Sequence, residues 1–162
     1  MAAMHGYNVG ILGDVGVGKS SFVRKLKELH FDQRYTSTVG CEVHPLVYDT
    51  TAGEIFVHLW DFSGNDKYAS HIEPKLDEMD FFIIIYSYDV RNSYRSAIEY
   101  WWDKIRGVPT IFLQNKIDIR HKYKGVVGQR MSCKDEVGPP IDIITGVLRK
   151  LTADPKLLIM RW

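Results

Sequence analysis

Residues 13–20 read Gly13-Asp14-Val15-Gly16-Val17-Gly18-Lys19-Ser20, which fits the pattern G-x-x-x-x-G-K-[ST]. This stretch decides the fold. Small residues let successive backbone N–H groups turn inward around phosphate oxygens, where large side chains would block them. Lys19 has the length to reach the β- and γ-phosphates of a nucleoside triphosphate, and the Ser20 hydroxyl suits Mg²⁺. The expected phosphate-binding residues are therefore Gly13, Asp14, Val15, Gly16, Val17, Gly18, Lys19 and Ser20, with Ser21 beside them. On one side, Tyr7-Asn8-Val9-Gly10-Ile11-Leu12 reads as a strand entering the loop. On the other, the spacing of Phe22, Val23, Leu26 and Leu29 predicts an amphipathic helix leaving it. That helix puts its partial positive charge under the phosphates. The strand–loop–helix setting disfavours the alternative, a chance match in a Gly-rich turn.

Outward from the loop, strand and helix signals alternate. Glu42 to Tyr48 and Ile55 to Asp61 read as a hairpin around the turn Asp49-Thr50-Thr51-Ala52-Gly53-Glu54. Phe81-Phe82-Ile83-Ile84-Ile85-Tyr86 is apolar without alternation, as a central strand buried on both faces should be. Thr110-Ile111-Phe112-Leu113 is a shorter run of that kind. Helices are expected over Ser93 to Ile105 and Ile141 to Leu151, with a short one before Phe81 and a short sixth strand running into Met131. In the helix from Ser93, one of Trp101 and Trp102 should face the core and the other solvent. The expected fold is α/β: a doubly wound, mostly parallel six-stranded sheet with one antiparallel edge strand, in a single domain over residues 1–162. Ligands of such sheets sit at the carboxyl ends of the strands. Each motif named here lies just beyond an expected strand.

Bulk properties narrow the function classes. The 162 residues suffice for one sheet covered on both faces. A net charge of +1 gives no bulk attraction to nucleic acid or to a lipid surface, and neither is an expected partner. Cys41 and Cys133 show no metal-type spacing and read as reduced thiols of an intracellular protein. His44, His58 and His71 show none either, and read as surface or strand residues. No apolar run approaches a membrane span and no prenylation cysteine ends the chain, so no membrane anchor is expected.

Gln114-Asn115-Lys116-Ile117-Asp118 follows the last long strand. A carboxylate at Asp118 accepts both the N1–H and the exocyclic amine of guanine, a donor pair that adenine lacks. The aliphatic stem of Lys116 suits a purine face, and Asn115 is placed to tie this loop to the phosphate loop. Further on, Met131-Ser132-Cys133-Lys134 is placed to offer a backbone N–H to the guanine O6, which makes Ser132, Cys133 and Lys134 candidates.

Taken together, Gly13 to Ser20, Thr38, Asp61 to Gly64, Asn115 to Asp118 and Ser132 to Lys134 resemble the small GTPases of the Ras superfamily. The run Ser37-Thr38-Val39-Gly40-Cys41-Glu42-Val43-His44-Pro45-Leu46-Val47-Tyr48 is similar to the Ran branch, the nuclear-transport GTPases, as is Arg149-Lys150-Leu151 with Asp154-Pro155. The resemblance implies GTP and GDP as ligands with Mg²⁺ held by Ser20, Thr38 and, through water, Asp61. It implies Phe31 edge-on to guanine and a catalytic set of Lys19, Tyr35, Gly64 and Asn65. Thr38 and the Gly64 N–H would sense the γ-phosphate and release the two switch segments on hydrolysis. Implied partners are importin- and exportin-type transport receptors, an exchange factor and a GTPase-activating protein. A monomer in nucleus and cytoplasm is expected.

Three departures from that family point one way. Where Asp-Thr-Ala-Gly-Gln is expected, the chain has Asp61-Phe62-Ser63-Gly64-Asn65. Asn65 keeps the amide of the water-orienting glutamine but is one methylene short, enough to spoil in-line geometry. Val15 stands where most of the family has glycine, and its branched side chain is expected to crowd the attacking water. The chain stops at Trp162, without the Ran-type C-terminal extension that disfavours the GTP state, and Ile119 to Arg130 is too short for the usual helix there. The expectation is a trimmed, GTP-biased switch of slow hydrolysis, one that would hold receptors occupied as a viral or parasite mimic of the host switch would. A pseudo-GTPase scaffold that binds receptors without cycling is the alternative. A phosphotransferase acting on a metabolite is disfavoured by Asn115 to Asp118, and a vesicle-traffic GTPase by the missing lipid signal.

Overall fold

The computed structural model describes residues 6–28, 36–87, 89, 91–105, 107–116, 129–130 and 138–160. Strand β1 (Gly6–Leu12) leads into helix α1 (Lys19–Lys27), then β2 (Thr36–Thr38), β3 (Cys41–Thr50) and β4 (Gly53–Phe62). A 3-10 turn (Asp66–Tyr68) runs into α2 (Ala69–Leu76), followed by β5 (Phe81–Ser87). Helix α3 (Arg91–Ser96), a π-helical segment (Ala97–Trp101) and α4 (Trp102–Lys104) follow one another without a break. Then come β6 (Thr110–Asn115), β7 (Gln129–Arg130) and α5 (Gly138–Thr152).

The strands form one sheet in the order β2-β3-β4-β1-β5-β6-β7. β1 pairs in parallel with both β4 and β5, while β3 runs antiparallel to β4 and to β2. The α/β, mostly parallel architecture is the expected one, with two corrections. The sheet has seven strands among the described residues, not six, because Thr36–Thr38 folds back on Cys41–Val43. That addition also moves the antiparallel strand one place in from the edge. Three residues carry too little periodicity to signal a strand, and what holds them is pairing with β3.

Alternation along the strands sorts the core onto two faces. Phe81, Ile83 and Ile85 of β5 join Val9, Ile11, Val57 and Leu59 on the face covered by Phe22, Val23 and Leu26 of α1 and Ile144, Val147 and Leu148 of α5. Phe82, Ile84 and Tyr86 join Leu12 and Phe62 on the other, under Ile72 and Leu76 of α2 and Ala97, Trp101 and Ile105. Each strand thus feeds both layers, which is why β5 reads as a continuous apolar run. Of the tryptophans, Trp101 is buried as the core-facing one, but Trp102 is half-buried rather than exposed, its ring 5.5 Å from that of Phe112.

Helix bounds differ from expectation for local reasons. α5 begins at Gly138, three residues before Ile141, with Pro139 and Pro140 in its first turn, where no N–H is needed for the helix. The span expected as one helix from Ser93 contains a π turn. The segment after α5 lies against the end of β3, with Thr51 N donating to Leu158 O at 2.9 Å and Met160 N to Asp49 O at 2.8 Å. No helix among the described residues is long and apolar enough to cross a membrane.

Candidate functional site

β1 ends at Leu12 in the centre of the sheet, and the loop 13–20 turns at its carboxyl end into α1. There the chain order reverses, with β4 on one side of β1 and β5 on the other, which is where doubly wound sheets hold ligands. The loop is pinned by contacts from several directions. Asn115 Nδ2 donates to Val17 O at 2.9 Å, and Lys116 Nζ to Gly16 O at 2.7 Å. Trp101 Nε1 donates to Asp14 Oδ1 at 2.9 Å. Gly18 precedes α1 with φ +103°, and a Cβ there would lie 2.1 Å from Asn115 Nδ2, so only glycine fits. Lys116, at φ 60°, adopts the left-handed conformation that side chains seldom take outside constrained sites.

Lys19 is 7% exposed, and its Nζ donates to Gly13 O and Asp14 O, both at 2.9 Å. Burial pulls its pKa down, and the Asp61 and Asp14 carboxylates oppose that pull. A buried ammonium at a helix N-terminus, ringed by carbonyls, is electrostatically suited to a polyanion. Ser20 is exposed at the start of α1, and half-buried Ser21 follows it. The Ser20 hydroxyl donates to Asp61 Oδ2 at 2.6 Å. Asp61, also 7% exposed, has its pKa raised by burial, against the Ser20 hydrogen bond and the Lys19 charge. A hydroxyl and a carboxylate converging beside a phosphate-type loop form a hard oxygen donor set that fits Mg²⁺. Ser20 and Asp61 would hold that ion, which would screen the phosphate charge.

A cleft of about 360 Å³ opens over these groups, lined by Val15, Gly16, Lys19, Ser20, Asp61 and Gly64 among others. Gly64 sits directly on the phosphate loop: a Cβ there would come within 2.5 Å of backbone atoms of Gly13, Asp14 and Val15. Val15 is 69% exposed at the mouth of the cleft. Asn65 is turned to a different task from the one its place suggests. Its Oδ1 accepts from Lys67 N at 3.1 Å and caps the 3-10 turn, while its own N–H donates to Ser63 Oγ at 3.2 Å.

Other expected residues stand further from description. Thr38 lies in β2, paired with Cys41, but nothing is described of its side chain. Phe31, Tyr35, Asp118, Ser132, Cys133 and Lys134 lie outside the described residues, as does most of Ile119 to Arg130. Sequence reasoning missed two contributors. Glu42 lies opposite Asp61 across the β3–β4 ladder and lines the cleft, where it disfavours the Asp61 anion. With His44, these two residues place donor atoms within 4.8 Å of one another. Trp101, which the sequence leaves open between core and solvent, is buried and reaches the loop through its indole. A search for polar tips on otherwise apolar helix positions would have raised it.

The model of the Ras family matches residues 8–137, a span that holds the phosphate loop, Asp61 to Asn65 and Asn115 to Asp118. Members of that family are guanine-nucleotide-binding GTPases that work with Mg²⁺, and the loop, the buried Lys19 and the Ser20–Asp61 pair are arranged for such a ligand. The chain belongs to the Ras family of small GTPases.

Proposed function

We propose that this protein is a Ran-type guanine-nucleotide switch biased toward its GTP form, a single G domain that acts on nucleocytoplasmic transport. One observation carries the bias. Asn65 spends its amide oxygen on the cap of the Asp66–Tyr68 turn instead of directing it into the cleft. A side chain so engaged is poorly placed to orient a water, and Val15, exposed at the cleft mouth, adds bulk beside the γ-phosphate position. Slow hydrolysis keeps the triphosphate bound. Phosphate contacts come from Gly13 to Ser21, the Mg²⁺ ligands from Ser20, Thr38 and Asp61, and the guanine contacts from Asn115, Lys116, Asp118 and Ser132 to Lys134, with Phe31 against the base. The Ran assignment rests on the run Glu42-Val43-His44-Pro45-Leu46-Val47. It brings with it importin- and exportin-type receptors, an exchange factor, an activating protein and a nuclear and cytoplasmic setting.

Two measurements test this. Nucleotide released by denaturing freshly purified protein should be GTP; GDP would mean that the site still cycles at an ordinary rate. Transport receptors should be captured by protein loaded with a GTP analogue and not by the GDP form. Equal weak capture in both forms would overturn the transport role. Capture without any turnover, with or without an activating protein, would favour a receptor-binding pseudo-GTPase, a reading to which the engaged Asn65 also lends itself.

A further inference from the structure

The phosphate-loop pattern leaves the residue after its first glycine unspecified, and a carboxylate there is costly on electrostatic grounds. Asp14 has the same sign of charge as the phosphates and stands close enough to Lys19 for its charge, with that of Asp61, to oppose the fall that burial imposes on the lysine pKa. Something must govern where that carboxylate points. Its Oδ1 takes the indole N–H of Trp101 at 2.9 Å, from a residue 87 positions away in sequence. Trp101 is well placed to hold it. The residue is 4% exposed, ends the π-helical segment Ala97–Trp101, and packs with Ile72, Leu76 and Ile105. Tyr100 meets its ring edge-on at 4.9 Å. π turns inside helices often occur at functional sites, and this one ends on the residue that touches the loop. The same stretch of loop carries Lys19 Nζ on Asp14 O and lies under Gly64. A shift of Asp14 would therefore disturb the lysine and the Gly64 segment together.

We infer that Trp101 is a positioning residue for the phosphate loop. By donating to Asp14 Oδ1 it keeps that carboxylate turned toward the π-helical segment Ala97–Trp101 and fixes the backbone of Gly13–Val15 for phosphate. It touches no substrate and acts through Asp14. The inference rests on the guanine-nucleotide reading of the site.

The test is release of a fluorescent GDP analogue from the Mg²⁺-loaded protein, in wild type, W101F, D14A and the double variant. Phenylalanine keeps an aromatic ring in the core and removes only the N–H donor. A hydrogen bond to a charged acceptor at this site predicts release about tenfold faster in W101F. In the D14A background the same substitution should change release less than twofold, because its target is gone. Less than a twofold effect of W101F in otherwise wild-type protein would overturn the inference, and so would an equal effect with and without D14A, since lost packing would act in either. A second measurement needs neither nucleotide binding nor a folded W101F. In nucleotide-free protein, exchange of the Trp101 indole proton with solvent should be about tenfold faster in D14A than in wild type. Equal exchange overturns the inference, whereas a wild type that binds no guanine nucleotide overturns the proposed function and leaves this second result to decide.

Discussion

The Ser20 hydroxyl and the Asp61 carboxylate meet at 2.6 Å, joining the first turn of α1 to the end of β4 across 41 residues of sequence. Both are oxygen donors and Asp61 is largely buried, so the pair holds two coordination directions in place before any cation arrives. Preformed geometry of this kind lowers the ordering cost of binding Mg²⁺ and the phosphates that share it.

Ser20→Ala should therefore weaken Mg²⁺-dependent nucleotide retention by at least about tenfold, in the range seen when support for a metal ligand is lost. In wild type, chelating Mg²⁺ should speed release of a fluorescent GDP analogue sharply. In the variant, release should already be fast and respond little to chelation. Retained sensitivity to chelation would mean that the metal is held elsewhere.

Restoring the amide reach and removing the branched side chain should raise hydrolysis. Asn65 caps the turn at Asp66 through Oδ1, a role for which glutamine is poorly suited, and Val15 stands open at the cleft mouth. The double substitution Val15→Gly with Asn65→Gln is expected to speed single-turnover GTP hydrolysis several-fold. A double variant no faster than wild type would show that neither residue limits the reaction.

The parts of this molecule that could be read ahead of the structure are those fixed by local chemistry. Gly13 to Ser20 can do little but wrap an anion, and Phe81 to Tyr86 can only be a strand covered on both sides. β2 was not legible because its three residues gain strand geometry only from pairing with β3. The first turn of α5 was hidden by two prolines that look like a break and act as a start. At the site, residue types announced Lys19, Ser20 and Asp61, but not the partners that orient them. No local pattern reports that Trp101 reaches Asp14, or that Asn65 turns toward Lys67, because both depend on where distant elements dock.

Gly64→Ala tests the closeness of the loop after β4 to the phosphate loop. A methyl at this position would sit 2.5 Å from three backbone atoms of Gly13, Asp14 and Val15, none of which is the tip of a flexible side chain. One segment has to move. Overpacking of this kind costs about 1–3 kcal/mol, so the urea midpoint of the nucleotide-free protein should fall accordingly. An unchanged midpoint would show that residues 63–65 shift without resistance.

His44 gives the folded state a pH dependence whose sign follows from its surroundings. It is 5% exposed in β3, and burial lowers its pKa below the ordinary 6.5, with Lys27 adding to the effect and Glu42 opposing it. The unfolded chain therefore takes up a proton near pH 6.5 while the folded chain does not until lower pH. Over that window the unfolded state binds more protons, so stability present above pH 6.5 is lost as pH falls toward the depressed folded value. Glutamine at this position cannot titrate. His44→Gln should thus show a shallower loss of stability than wild type as pH falls below 6.5, measured by urea unfolding of the nucleotide-free protein. Parallel curves for the two proteins would assign the acid sensitivity to other groups.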